Sequence, residues 1–157
     1  MERTSCTLSP SDFTWAKADA FASRVVFHNQ KFYWYVAVSH ATISGKAIGV
    51  AVSDQPWGPF YDAKGSAMIT QDMIPDKQMM MVNLDPTVFI DDEGRGHIFW
   101  GNSKCYYAKL KANMIDWMVR LKLSRCQVLP REPISINETP GIIFLTDSNS
   151  LKKLLTR

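Results

Sequence analysis

No apolar run in this sequence approaches the roughly 20 residues that a membrane-spanning helix needs. Its first residues, Met1-Glu2-Arg3-Thr4-Ser5, hold no apolar stretch of the kind a signal peptide uses. The expectation is a chain without a membrane partner, cytoplasmic as expressed or missing the true start of its parent. Cysteine is scarce. Cys6, Cys105 and Cys126 are odd in number and none stands in a CxxC pair, which argues against a disulfide framework and a structural zinc site. His28, His40 and His97 lack ligand spacing, so turn or surface positions are expected of them rather than metal binding. Helical periodicity is missing up to residue 116.

A basic body is absent as well. The formal charge of +3 resides in the tail: residues 1–116 carry 11 Lys+Arg against 12 Asp+Glu, whereas residues 117–157 carry 7 against 3. No basic stripe interleaves with aromatics, so nucleic acid is not an expected partner. What is present, 46% hydrophobic and 21% charged residues, is enough for an ordinary globular core. The change at 116/117 divides the chain into a body, 1–116, and an atypical basic tail, 117–157.

The body reads as strands, an all-β fold. Ser23 to Phe27 is β-branched and aromatic, Asn29-Gln30 makes a turn, and Phe32 to Ser39 is a strong strand signal. Lys46 to Ser53 follows, closed by Asp54-Gln55-Pro56. Ser66 to Thr70 is a candidate fourth strand. The Met-rich stretch from Gln71 to Val82 has no period and reads as a loop, with Met79-Met80-Met81 as filler. Strands resume at Pro86 to Ile90, His97 to Trp100 and Tyr106 to Leu110, the first two joined by the turn Asp91-Asp92-Glu93-Gly94. Asp19 precedes Trp34 by fifteen residues, and Asp85 precedes Trp100 by fifteen. Such a repeat suits consecutive four-stranded propeller blades, whose first strands line a central channel. It suits equally a β-sandwich with coincidental spacing.

Four segments carry a family resemblance. They are Trp15-Ala16-Lys17-Ala18-Asp19-Ala20; Lys46 to Asp54 with Trp57-Gly58-Pro59-Phe60; Leu84-Asp85-Pro86-Thr87-Val88-Phe89-Ile90-Asp91-Asp92 with Gly94 and Phe99-Trp100-Gly101-Asn102; and Tyr106 to Leu110 with Asn113-Met114-Ile115. In this order they resemble glycoside hydrolase family 43, mostly β-xylosidases, α-L-arabinofuranosidases and arabinanases, over about residues 8–116. The resemblance implies an incomplete five-bladed β-propeller of about two four-stranded blades. It also implies an inverting hydrolase of xylan- or arabinan-type carbohydrate. In that chemistry a general acid protonates the leaving oxygen and a general base activates water on the opposite face of the sugar. A third carboxylate orients the acid and raises its pKa. Asp85 matches that third position. Asp19, in the equivalent place one blade earlier, either lines the sugar pocket or bonds a neighbouring strand. Trp15 and Trp100 are candidates to stack on a sugar, against the commoner core role of strand aromatics. No cofactor is implied, although some relatives hold a channel cation such as calcium.

The general base is not found upstream of Leu8, and Asp12 matches a linker. The general acid belongs in a third blade whose motif the tail does not show in its own frame. Asp116-Trp117-Met118-Val119 requires codons GAY-TGG-ATG-GTN, and the frame one base earlier reads Leu-Asp-Gly, as the family continues. The expectation is a base lost near codon 116 and an out-of-frame tail, in which Glu132-Pro133 has little weight as a catalyst. Two blades cannot close a ring, so a homo-oligomer is expected. Little or no activity is expected of the chain itself. The alternative is a non-catalytic carbohydrate-binding or structural fragment, with an unrelated all-β adaptor behind it.

Overall fold

The computed structural model describes residues 8–75, 82–102 and 104–118, together with the backbone of 122–124. These residues form two antiparallel sheets of four strands, each in simple sequential order. Sheet 1 holds β1 (Ala16–His28), β2 (Lys31–His40), β3 (Lys46–Ser53) and β4 (Tyr61–Asp62). Sheet 2 holds β5 (Thr87–Ile90), β6 (Gly96–Trp100), β7 (Cys105–Lys109) and β8 (Lys122–Ser124). The first strands of the two sheets, β1 and β5, are neighbours.

Local chemistry explains most of the strand ends. Asn29 and Gln30 both take positive φ, 48° and 60°, which matches a two-residue hairpin turn to the twist of β1 and β2. β1 begins well before the expected Ser23, because three register shifts let an irregular segment stay paired with β2 as far as Ala16↔His40. The expected fourth strand at 66–70 is corrected. Asp62 Oδ1 accepts hydrogen bonds from the Lys64 and Gly65 amides, which turns the chain out of β4 after two residues. The edge of β3 is then shared by β4, opposite Ala51 and Val52, and by an isolated bridge from Ile69 to Ile48. Sheet 2 takes its last strand from beyond the expected boundary at 116. Lys122–Ser124 pairs with β7.

The interior lies between the sheets. Tyr35, Ile48 and Val50 of sheet 1 meet Ile98, Trp100 and Tyr106 of sheet 2 in one cluster. Removing such side chains from water contributes about 1.5–3 kcal/mol each. The Tyr35 hydroxyl, pushed well above its ordinary pKa by burial, donates to the Met114 carbonyl at 2.6 Å. A second cluster covers the other face of sheet 1. There Leu8, Phe13 and Trp15, from the segment leading into β1, pack on Trp34, Val36 and Val38.

Strand register shows how the sheets stack. Ala18 pairs with Ser39, and the Gly101 amide donates to the Leu84 carbonyl at 2.9 Å. Ala18 and Leu84 directly precede Asp19 and Asp85, so the residue in the place of Trp100 is Val38, not Trp34. The two acids of the fifteen-residue repeat correspond; the two tryptophans do not, because β1 is longer than β5. Val38 faces away from sheet 2, whereas Trp100 faces sheet 1. The sheets are stacked front to back, with unlike faces in contact.

Candidate functional site

Asp19 and Asp85 hold the same local conformation on corresponding elements. Asp19 lies near the start of β1 with φ 58°, and Asp85 stands two residues before β5 with φ 52°. An L-residue other than Gly is held in this left-handed region at a cost of about 1–2 kcal/mol, less for Asp and Asn. Both acids are exposed.

Their surroundings differ. Asp19 Oδ2 accepts from Ser39 Oγ and from Lys46 Nζ, each at 3.2 Å. Lys46 is buried, its side chain only 7% exposed, and its ammonium also donates to Ser39 Oγ at 2.8 Å and sits 4.4 Å from the centre of the Phe21 ring. Asp19 is thereby the counter-ion of a buried lysine. Asp85 makes no hydrogen bond or ion pair among the described residues. Its neighbours fix it instead: Leu84 and Pro86 are buried on either side, and the Asn83 carboxamide, fully buried, lies two residues before it. Gly101 closes the far side of this segment. Its φ is 131°, and a Cβ there would fall 1.8 Å from the Lys104 carbonyl, so only glycine fits beside Leu84.

The tryptophan assignments need correction. Trp100 is 2% exposed, stacked on Tyr106 at 5.6 Å, edge-on to Trp117, and donates Nε1–H to Asn83 Oδ1 at 3.0 Å. No face of it is open to a sugar, and its place is in the core. Trp15 stacks on His40 at 5.6 Å, donates to Asp62 Oδ2 at 2.9 Å and lies against Gly49, where a Cβ would meet its ring at 2.8 Å. It belongs to the cluster on the side of sheet 1 away from sheet 2, so the structure does not bring it together with Asp85.

Two features escaped the sequence reading. In the sequence Lys46 is a strand residue that nothing in the pattern marks as buried. His97, expected at a turn or surface, is 1% exposed. Its ring lies between Asp91 Oδ2, 2.9 Å from Nε2, and Tyr107 Oη, 2.9 Å from Nδ1. An ionised Asp91 can only accept, so Nε2 carries the proton toward it, and in the neutral ring Nδ1 accepts from Tyr107. The His97 hydrogen bond, opposed by desolvation and reinforced by Arg95, holds Asp91 far below the usual carboxylate range. Among the described residues no three His, Cys, Asp or Glu side chains gather into a metal-holding cluster. Met79-Met80-Met81, Cys6, Cys126 and Glu132 lie outside the described residues.

The family model for glycosyl hydrolases family 43 matches residues 2–145. The chain belongs to that family. The match passes the expected limit at 116 and runs well into the basic tail. Among curated relatives, an arabinoxylan arabinofuranohydrolase of Bacillus subtilis is 33% identical over 84 residues, 54% of this chain and 15% of its own length. A xylosidase/arabinosidase of Bacteroides ovatus is 32% identical over 96 residues, 60% of this chain and 25% of its own. Among solved structures, an α-L-arabinofuranosidase of Clostridium thermocellum superposes with a TM-score of 0.58 at 30% identity, over 71% of this chain and 36% of that one. An endo-arabinase of Bacteroides thetaiotaomicron gives a TM-score of 0.61 at 22% identity, over 75% and 40%, a likeness of fold alone. The chain therefore spans well under half the length of these relatives.

Proposed function

We propose that the two sheets are consecutive blades of a family 43 propeller, and that Asp85 is the carboxylate that orients and tunes the general acid of an inverting hydrolase of xylan- or arabinan-type carbohydrate. One observation carries the reading. Asp85 is an exposed carboxylate without a partner among the described residues, held in a left-handed conformation at the entry to the first strand of its sheet. Strain kept by buried neighbours around a solvent-facing acid is the pattern of a functional site. Front-to-back stacking and the adjacency of β1 and β5 support the blade reading, since a ring repeats one interface whereas a sandwich brings like faces together.

In this reading Asp85 performs no proton transfer. Its negative charge close to the general acid keeps that acid protonated until the leaving oxygen takes the proton. The relatives named as arabinofuranosidases and xylosidases support pentose-containing carbohydrate as substrate and partner. Asp19 serves at the channel through Lys46. β1 leaves Phe21, Val25 and Phe27 exposed, with Phe27 at 59%, and self-association covers this apolar edge.

The family motifs assign neither the general base nor the general acid within this chain, so the chain by itself is expected to release no aglycone from aryl xyloside or aryl arabinofuranoside. It is expected to bind xylo- or arabino-oligosaccharide weakly, and Asp85→Ala to abolish that binding. Binding unchanged in a folded Asp85→Ala chain sinks the assignment. Clear turnover that disappears with Asp85→Ala shows the chain to be an enzyme in its own right. A stable monomer in light scattering counts against self-association.

A further inference from the structure

Asn83 joins the two sheets through both ends of one carboxamide. Its Nδ2 donates to the Lys46 carbonyl of β3 at 2.8 Å, and its Oδ1 accepts from Trp100 Nε1 of β6 at 3.0 Å. It is 0% exposed. A side chain that must donate at one end and accept at the other, without charge and within this reach, is Asn; Asp lacks the donor and Leu lacks both. Through Lys46 the same residue is tied to the element that carries the counter-ion of Asp19, since Lys46 Nζ holds Asp19 and the Lys46 carbonyl holds Asn83.

Asp85 needs such a support. Its own Cβ disfavours a φ of 52°, and the following proline disfavours it again, because a residue before proline is pushed to extended backbone. Nothing bonded to the Asp85 side chain among the described residues offsets these two penalties. The conformation must be imposed by what flanks it. On one side that is the Leu84 carbonyl, held by the Gly101 amide; immediately before it stands the Asn83 carboxamide.

We propose that Asn83 is the positioning residue of Asp85: its carboxamide, clamped between β3 and β6, imposes the left-handed turn that turns the Asp85 carboxylate outward. The proposal rests on the reading of Asp85 as a carboxylate of the sugar site, and adds what holds it there. A purely structural Asn83 and a positioning Asn83 both stabilise the sheet interface; only the second controls the backbone of Asp85.

Carbon chemical shifts of Asp85 separate the two, because Cα and Cβ shifts report φ directly. In the isotopically labelled 157-residue chain, Asp85 is expected to show left-handed shifts. In Asn83→Ala they are expected to move to extended values while those of Asp19, a reference in the same conformation, stay in place. Asn83→Asp, which keeps shape and acceptor but loses the donor to Lys46, is expected to move them part of the way and decides the matter if Asn83→Ala does not fold. A folded variant that loses stability while Asp85 keeps its left-handed shifts overturns the proposal. Titration with xylobiose and arabinose on the same samples tests the underlying reading separately. A wild-type chain that takes neither sugar removes the sugar site, while the shifts still decide whether Asn83 sets Asp85.

Discussion

Asp19 and Asp85 stand at corresponding places in two consecutive sheets, share a left-handed backbone, and are used differently. Asp19 neutralises Lys46, so its carboxylate is already engaged within its own sheet. Asp85 is engaged by nothing among the described residues, and its conformation is maintained from behind by Asn83, Leu84 and Gly101. A repeated fold supplies the same backbone geometry twice. Which copy becomes available for chemistry depends on whether a neighbouring strand supplies a cation. Lys46 on β3 does so for the first acid; by register its counterpart on β7 is Cys105, which is not a cation.

The sharpest break in the comparison concerns the tryptophans. Trp100 is buried and partnered through Asn83, whereas Trp34 is half-buried and its Nε1 has no partner among the described residues. Trp100→Ala is expected to cost about 3–5 kcal/mol for the lost ring, with about 1–3 kcal/mol more for stranding the Asn83 acceptor. That is most of the stability of a domain of this size. Trp34→Ala is expected to cost clearly less, because no partner is stranded. Urea unfolding followed by near-ultraviolet circular dichroism measures both. Equal losses would show that the two tryptophans occupy equivalent sites after all.

The acids themselves offer a smaller but cleaner contrast. Asp85→Gly relieves the left-handed strain and raises the entropy of the unfolded chain, two effects of about 0.5–1 kcal/mol that nearly cancel. Asp19→Gly makes the same backbone exchange and in addition leaves Lys46 buried without its counter-ion. The difference between the variants isolates the ion pair. It is expected at about 1–2 kcal/mol, below the figure for breaking a fully buried pair because the Asp19 side chain is 57% exposed. The difference should shrink with added salt. Two variants of equal urea midpoint would mean that Asp19 is as unengaged as Asp85.

The sequence carried the strands and turns well, and the site only partly. Lys46 to Ser53 and the turn at Asn29-Gln30 were legible because β-branched alternation and turn chemistry are local properties. The end of sheet 2 was not, because Lys122–Ser124 pairs with β7 across an interval that no local pattern spans. Asp85 was singled out by the family resemblance around its Asp-Pro step, to which the structure adds its exposure and its left-handed backbone. Trp100 stayed open between two roles because a strand aromatic in front of Gly101 suits either a sugar platform or a core, and burial decides for the core. Lys46 and Asn83 were invisible for the same reason: each is a single polar residue whose meaning comes from a strand in the other part of the chain.

The far face of sheet 2 extends the comparison to a third acid, and here the lever is pH. Asp91 is paired where Asp85 is not: His97 first, then the backbone and guanidinium of Arg95, depress its carboxyl far below its unfolded value of about 3.9. A carboxyl depressed on folding contributes stability that is present above the unfolded pKa and is lost as pH falls through the folded one. Wild-type urea midpoints should therefore decline between about pH 5 and pH 2. Asp116, lowered by Lys64 and Asn113, pulls in the same direction, so the informative quantity is the gap between wild type and Asp91→Asn. The gap should be widest near neutrality and narrow toward low pH, where a protonated Asp91 and an Asn bond alike. His97→Gln should narrow it near neutrality by removing the largest cause of the shift. Parallel curves would place the His97–Asp91 hydrogen bond outside the folding equilibrium.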